Sequence, residues 1–264
     1  MKMLVVDMTH GGTTLASEFA KDCEVLAWDI YHTLNWQEQA SILDQGIELV
    51  DDTFLEESLA NPEDWDDLIV VAPVHCNLPF SSSDSAFPNL MTHHQAVHYL
   101  MKNRISVPII EVTGVKGKTN SVAMFKEIFK DNNPLILSSL GIEILEQGEE
   151  QLLQKDISIT PASIITAWEL AKDEYDVGMC IFEMSLGGTG LADVGVLTNI
   201  AEDYPIASAH SRASQAKSQI FRSKIVACDN KVYQKYYKHL PLPCYRVNTF
   251  GVKGESNVCA KIIE

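Results

Sequence analysis

Pro108-Ile109-Ile110-Glu111-Val112-Thr113-Gly114-Val115-Lys116-Gly117-Lys118-Thr119 decides how this chain is read. It opens as a short, mostly apolar run, the pattern of a buried parallel strand. It then enters a turn with two glycines, and residues 121–130 have helical character. Phosphate binding calls for this order of elements. Backbone N–H groups must point inward, so glycine is needed wherever a side chain would block the ligand. The N-terminus of the following helix adds partial positive charge. Gly114 and Gly117 supply the turn, and Thr113, Val115 and Lys116 complete a nucleotide loop. Lys118 reaches the β- and γ-phosphates, and Thr119 offers its hydroxyl to Mg²⁺. The loop is a short variant, because Val112 stands where the general pattern has its first glycine. The competing reading is an ordinary strand-to-helix turn.

Strand and helix patterns alternate on both sides of this loop. Upstream, residues 3–7, 24–30, 47–50 and 68–74 read as strands, and 13–21, 37–43 and 90–103 as helices. Alternation of this kind implies a parallel sheet with right-handed crossovers. Residues 1–105 are therefore expected to form a Rossmann-like domain, with a polar loop at 81–85. Residues 104–108 read as the linker to an ATP-binding domain over 106–264. Its further strands are expected at 135–137, 177–183, 194–199 and 225–228, with helices at 163–172 and 211–221. The fold class is α/β.

Ile181-Phe182-Glu183-Met184-Ser185 places an acid at the end of a buried strand, followed by Gly187, Gly188 and Gly190. Ligands of open α/β sheets sit outside the carboxyl ends of the strands. Glu183 is thus a candidate metal ligand beside the phosphates; the alternative is a strand-ending glutamate that faces solvent. His10 and His75 also follow strand ends and read equally in two ways: they meet at one sheet edge and contact substrate together with Gly11 and Gly12, or they are packed or solvated histidines. His94 and His98 lie one helical turn apart and read as packed or solvated rather than as a metal pair. Lys217, by its local pattern, is a surface lysine on an amphipathic helix.

Composition narrows the partners. With 264 residues, 46% of them apolar, the chain can bury a sizeable core. Its net charge of -16 repels phosphate backbones and anionic lipid, so neither nucleic acid nor membrane is an expected partner. No apolar run reaches the roughly 18 residues of a membrane span. The N-terminal run is interrupted at Asp7, too early for a signal peptide. Six scattered cysteines without a CxxC pair fit a reducing cytoplasm. Nothing in the pattern specifies an oligomeric state.

Several pieces in their order resemble the Mur ligase superfamily, which includes folylpolyglutamate synthases. These are residues 113–119, Thr160-Pro161, Glu183 with Ser185, Ser185-Leu186-Gly187-Gly188, Thr198-Asn199-Ile200, Asp203, Ala216-Lys217 and Asp229-Asn230. The resemblance implies phosphorylation of a carboxylate by ATP, followed by attack on the acyl phosphate. It implies nucleotide contact at Asn199, a second Mg²⁺ on Glu183, and a carbamylated Lys217 that supports this metal. Lys118, Lys217 and Glu183 would be the catalytic set.

Asp7-Met8-Thr9-His10-Gly11-Gly12, Ala72-Pro73-Val74-His75 and Thr92-His93-His94-Gln95-Ala96-Val97 look like the coenzyme F(430) synthase branch, Mur-like ligases of methanogenic archaea. That implies a small-molecule substrate, a nickel tetrapyrrole acid closed into a carbocyclic ring. Two departures stand out. Asp203-Tyr204 replaces an Asp-His pair whose histidine helps hold a metal, which makes His210 the expected substitute. The family also has a C-terminal third domain, which this chain lacks, so it reads as a truncated, fragmentary or divergent member. An amide-forming ligase and a non-catalytic ATP-binding module are the alternatives.

Overall fold

The computed structural model describes residues 2–54, 67–78, 89–252 and 255–260; the expected loop at 81–85 lies outside them. Strands β1 (Lys2–Val6), β2 (Glu24–Trp28), β3 (Glu48–Val50), β4 (Leu68–Ala72) and β5 (Leu90–Thr92) form one sheet in the order β3-β2-β1-β4-β5. Every pairing in it is parallel. This is the doubly wound arrangement, with its topological switch point between β1 and β4. Alternating side chains along β1 serve opposite faces: Met3 and Val5 belong to one buried cluster, Leu4 and Val6 to another.

The segment expected to be helical throughout 90–103 is divided. Leu90–Thr92 pairs with β4, and the helix runs over His93–Met101. Thr92 makes the division. Its hydroxyl accepts from Gln95 N–H at 3.2 Å, and the Gln95 side chain accepts from Thr92 N–H at 2.8 Å, a capping box that fixes the helix start.

The second sheet contains β6 (Ile109–Thr113), β7 (Pro134–Ser138), β8 (Gly141–Glu146), β9 (Glu149–Gln154), β10 (Met179–Glu183) and β11 (Val194–Leu197). A two-stranded ribbon of β12 (Pro205–Ile206) and β13 (Ser211–Arg212) follows. Then β14 (Ile225–Asp229), β15 (Arg246–Gly251) and β16 (Val258–Cys259) complete the order β16-β15-β14-β11-β6-β10-β7-β8-β9. Its centre is parallel, while β7, β8 and β9 run antiparallel at one edge. The expected helix at 211–221 is instead β13, a short helix Ala213–Lys217 and a 3₁₀ stretch Ser218–Arg222.

One buried cluster joins the sheets. Met3, Val5 and Val71 of the first sheet share it with Leu135, Cys180 and Phe182 of the second. Helices His93–Met101 and Ser163–Ala171 lie between them and contribute Ala96, Val97, Ile164 and Ala167. No described helix is long and apolar enough to cross a membrane.

Candidate functional site

β6 ends at Thr113, and residues 114–117 lead into the helix Lys118–Ile128. Gly114 has φ 148°, and a Cβ there would lie 1.9 Å from Thr198 Oγ1. The end of β11 thus presses directly on the loop. The Thr198 hydroxyl donates to the Lys116 carbonyl at 2.7 Å, and Val115 N–H donates to the Asn199 carbonyl at 3.0 Å. Asn199 accepts from Lys116 N–H at 3.2 Å and donates to the Lys116 carbonyl at 2.8 Å. Its side chain is therefore engaged with the loop backbone. Gly117, at φ 82°, precedes a helix that no side chain caps, so the leading N–H groups are available to an anion.

Glu183 closes β10 and is buried. Parallel register carries its strand beside β6, with Glu183 opposite Val112. The Thr119 hydroxyl donates to Glu183 Oε1 at 3.0 Å, and Ser139 N–H donates to Glu183 Oε2 at 3.1 Å. Lys118 Nζ stands 3.8 Å from Glu183 Oε1, and Ser139 Oγ is 3.1 Å from Thr119 Oγ1. Two hydroxyls and a buried carboxylate make an all-oxygen donor set, which suits a hard cation such as Mg²⁺. Ser139 was not among the sequence candidates. It follows β7, so the rule that singled out Glu183, a polar residue at the carboxyl end of a strand, points to it as well.

Lys217 is fully buried, against the surface position that its local pattern suggests. Its ammonium donates to the Ser185 carbonyl, two residues beyond Glu183. Burial, and then the charge of Lys118, brings its pKa down to about 7. Asp203 builds the turn that delivers it. Its carboxylate accepts from Ser214 N–H at 2.8 Å, Ser214 Oγ at 3.0 Å and Arg212 Nε at 3.3 Å, at the start of the helix Ala213–Lys217. His210 lies exposed in the β12–β13 turn, where Ala207, Ser208 and Ala209 all have positive φ. Among the described residues it makes no hydrogen bond or ion pair with Glu183 or Lys217. The short ribbon holds it at its tip.

His10 and His75 meet at the switch point of the first sheet, on a residue not singled out from sequence. Asp7, fully buried, holds His10 Nδ1 at 2.8 Å and His75 Nε2 at 3.1 Å on one oxygen, Oδ2. Its other oxygen accepts from Thr9 N–H at 3.1 Å and His10 N–H at 3.3 Å. Gly11 and Gly12 have packing roles here. Added Cβ atoms would lie 2.6 Å from Ala162 Cβ and 2.2 Å from the Asp7 carbonyl, respectively. A cavity of about 220 Å³ lies between the sheets, lined by His10, His75, His93, His94, Pro161 and Ser185 among others. It connects the histidine cluster to the Ser185 backbone that Lys217 contacts. His94 is buried in its wall, with Nδ1 3.3 Å from Gln219 Nε2. Burial drives its pKa down to about 3, followed by the nearby charges of His93 and Arg222.

The sequence is 33% identical over 230 residues to a coenzyme F(430) synthetase of Methanosarcina acetivorans; the match takes in 83% of this chain and 47% of that protein. A second coenzyme F(430) synthetase, from Methanocaldococcus jannaschii, is 30% identical over 236 residues, 87% of this chain and 52% of that protein. The chain is thus similar in sequence to two coenzyme F(430) synthetases. It spans about half the length of these curated relatives. The similarity to these synthetases extends well beyond the short N-terminal motifs that suggested their branch. A MurF ligase from Thermotoga maritima, solved in complex with ADP, is 15% identical, with 89% of this chain and 49% of that chain covered at a TM-score of 0.42. No family model matches the chain.

Proposed function

We propose that this chain binds Mg²⁺ and ATP at residues 113–119 and activates a carboxylate of a nickel seco-tetrapyrrole acid for closure to coenzyme F(430). The observation that carries the reading is the Lys118, Thr119 and Glu183 arrangement at the ends of β6 and β10, in a chain similar to coenzyme F(430) synthetases. Residues 1–105 would bind the substrate, and residues 106–264 the nucleotide. The free state of all six cysteines supports a cytoplasmic setting.

Thr119 and Glu183 would hold Mg²⁺, which neutralises charge on the transferring phosphoryl group. Lys118 and the uncapped N–H groups of its helix would orient the phosphates. The substrate carboxylate oxygen attacks the γ-phosphorus and ADP leaves. A carbon of the same molecule then gives up a proton to solvent and attacks the acyl carbon, the C–O bond to the phosphate oxygen breaks, and inorganic phosphate departs. Holding both reacting groups in one cavity gives a high effective molarity. Lys217, with a pKa of about 7, has the neutral amine that carbamylation by CO₂ requires. N–C bond formation on the neutral amine, with loss of one proton, would place a buried anion there, able to support a second metal beside Glu183.

ADP release with Mg²⁺ and ATP, with and without the nickel seco-tetrapyrrole acid, tests this. The expected result is release that depends on the tetrapyrrole and is lost in Lys118→Ala. Release that depends on an added amine would replace the reading with an amide-forming ligase. Bound ATP without release would make the chain a nucleotide-binding module.

A further inference from the structure

The Asp7 carboxylate is a point of convergence in the first sheet. One ligand atom from each of Asp7, His10 and His75 lies within 4.8 Å of the other two, and Asp7 Oδ2 contacts His10 Nδ1 at 2.8 Å and His75 Nε2 at 3.1 Å. A tetrahedral ion with bonds of about 2.0–2.1 Å sets its ligand atoms roughly 3.3–3.4 Å apart. The Asp7–His10 and Asp7–His75 pairs stand near that spacing, and the two imidazoles lie within reach of a common ion.

The surroundings hold them there. Asp7 has φ 69°, uncommon for a residue other than glycine, and its N–H is anchored on the Trp28 carbonyl at 3.0 Å. Thr9 and His10 N–H groups occupy Oδ1, which leaves Oδ2 to face the imidazoles. Orientation of a ligating carboxylate by backbone donors is typical of metal sites. The cluster sits outside the carboxyl ends of β1 and β4, where this sheet topology places ligands. His93 and His94, both buried in the wall of the adjoining cavity, each have a ring nitrogen without a hydrogen-bond partner among the described residues. The cavity thus has more ligating nitrogen than packing requires.

We propose that Asp7, His10 and His75 bind a divalent first-row transition ion, Zn²⁺ or a close neighbour, with its remaining coordination positions open to the cavity. Two imidazoles and one carboxylate select such an ion over Mg²⁺. A metal already inside a planar macrocycle has room for one of these nitrogens on each face, so three converging donors suit a free ion. The proposal involves no residue of 113–119 and stands apart from the nucleotide reading.

The test uses the full chain, stripped with chelator and titrated with Co²⁺ and then Zn²⁺ in the absence of nucleotide. The expected result is one ion per chain and the intense visible absorption of low-coordinate Co²⁺, bleached by Zn²⁺. His10→Ala alters a half-exposed side chain and should fold; it is expected to weaken binding tenfold or more, as is Asp7→Asn, while Lys118→Ala binds the ion like the parent. Absence of the Co²⁺ spectrum in the parent, or equal binding by His10→Ala, would overturn the proposal. So would an effect of His10→Ala confined to nickel macrocycle binding.

Discussion

Asn199 grips Lys116 by both of its backbone groups, accepting from the N–H at 3.2 Å and donating to the carbonyl at 2.8 Å. Lys116 sits in the middle of the 113–119 loop proposed to bind phosphate, so this clamp sets the loop's shape in the absence of nucleotide. Asn199→Ala removes both hydrogen bonds to Lys116, each worth about 1 kcal/mol, together with the one accepted from Ala201 N–H. ATP affinity measured calorimetrically should fall about tenfold, which corresponds to about 1.4 kcal/mol. Unchanged affinity would mean that the loop holds its shape without Asn199.

Gly114 and Gly117 should differ in tolerance. A Cβ at Gly114 meets Thr198 Oγ1 at 1.9 Å and the Asn199 backbone at 3.2 Å, whereas a Cβ at Gly117 meets nothing within 4 Å. Both have positive φ, so each alanine carries a backbone strain of about 1 kcal/mol. Gly114→Ala is expected to abolish ATP binding and Gly117→Ala to weaken it only severalfold. Equal losses in a side-by-side titration would contradict the packing of β11 against the loop.

Lys217 gives stability a pH dependence of known sign. Its folded pKa is about 7, against about 10.4 in an unfolded chain. Between those values the unfolded chain binds the extra proton, so this group's contribution to stability rises with pH. Lys217→Met removes it. In CO₂-free buffer the melting temperature of the parent should gain on that of Lys217→Met as pH goes from about 7 to 10. A difference that is constant with pH would show that the amine stays charged.

Glu111 works in the opposite direction. It is buried in β6, and burial pushes its pKa up to about 7 although the Thr189 hydroxyl and N–H donate to it. Against an unfolded value of about 4.3, the folded chain binds the extra proton, and stability from this group falls as pH rises from about 4.3 to 7. Glu111→Gln keeps an acceptor for Thr189 and has nothing to titrate. Its advantage in melting temperature should grow between about pH 5 and 7; a parallel pair of curves would count against a buried neutral acid.

The parts of the site legible in the sequence are those whose signal is local. An apolar run, two glycines and a helical pattern adjoin one another in 108–130, and Glu183 stands at the end of an unbroken apolar strand. His10 and His75 could be placed at one edge because each follows a strand end. What stayed hidden depends on distant partners. Asp7 acquires its meaning from His75, 68 residues away. Lys217 reads as a surface residue until the Ser185 loop covers it. The β8–β9 hairpin escaped notice because Gln147-Gly148, where both residues adopt positive φ, is a weaker turn signal than Asn-Gly. The Asn199 clamp exists only once β11 lies beside β6.

The buried cluster that runs from Met3 and Val5 through Ala96 and Ile164 to Leu135 and Phe182 acts as a weld. Modules that meet through a small polar surface swing on their connector; these two sheets cannot part at residues 104–108 without bringing oil into water. Heat should melt them in one transition. The spacing between the histidines of the first sheet and Ser185 of the second is then a machined gap, ready before any guest enters.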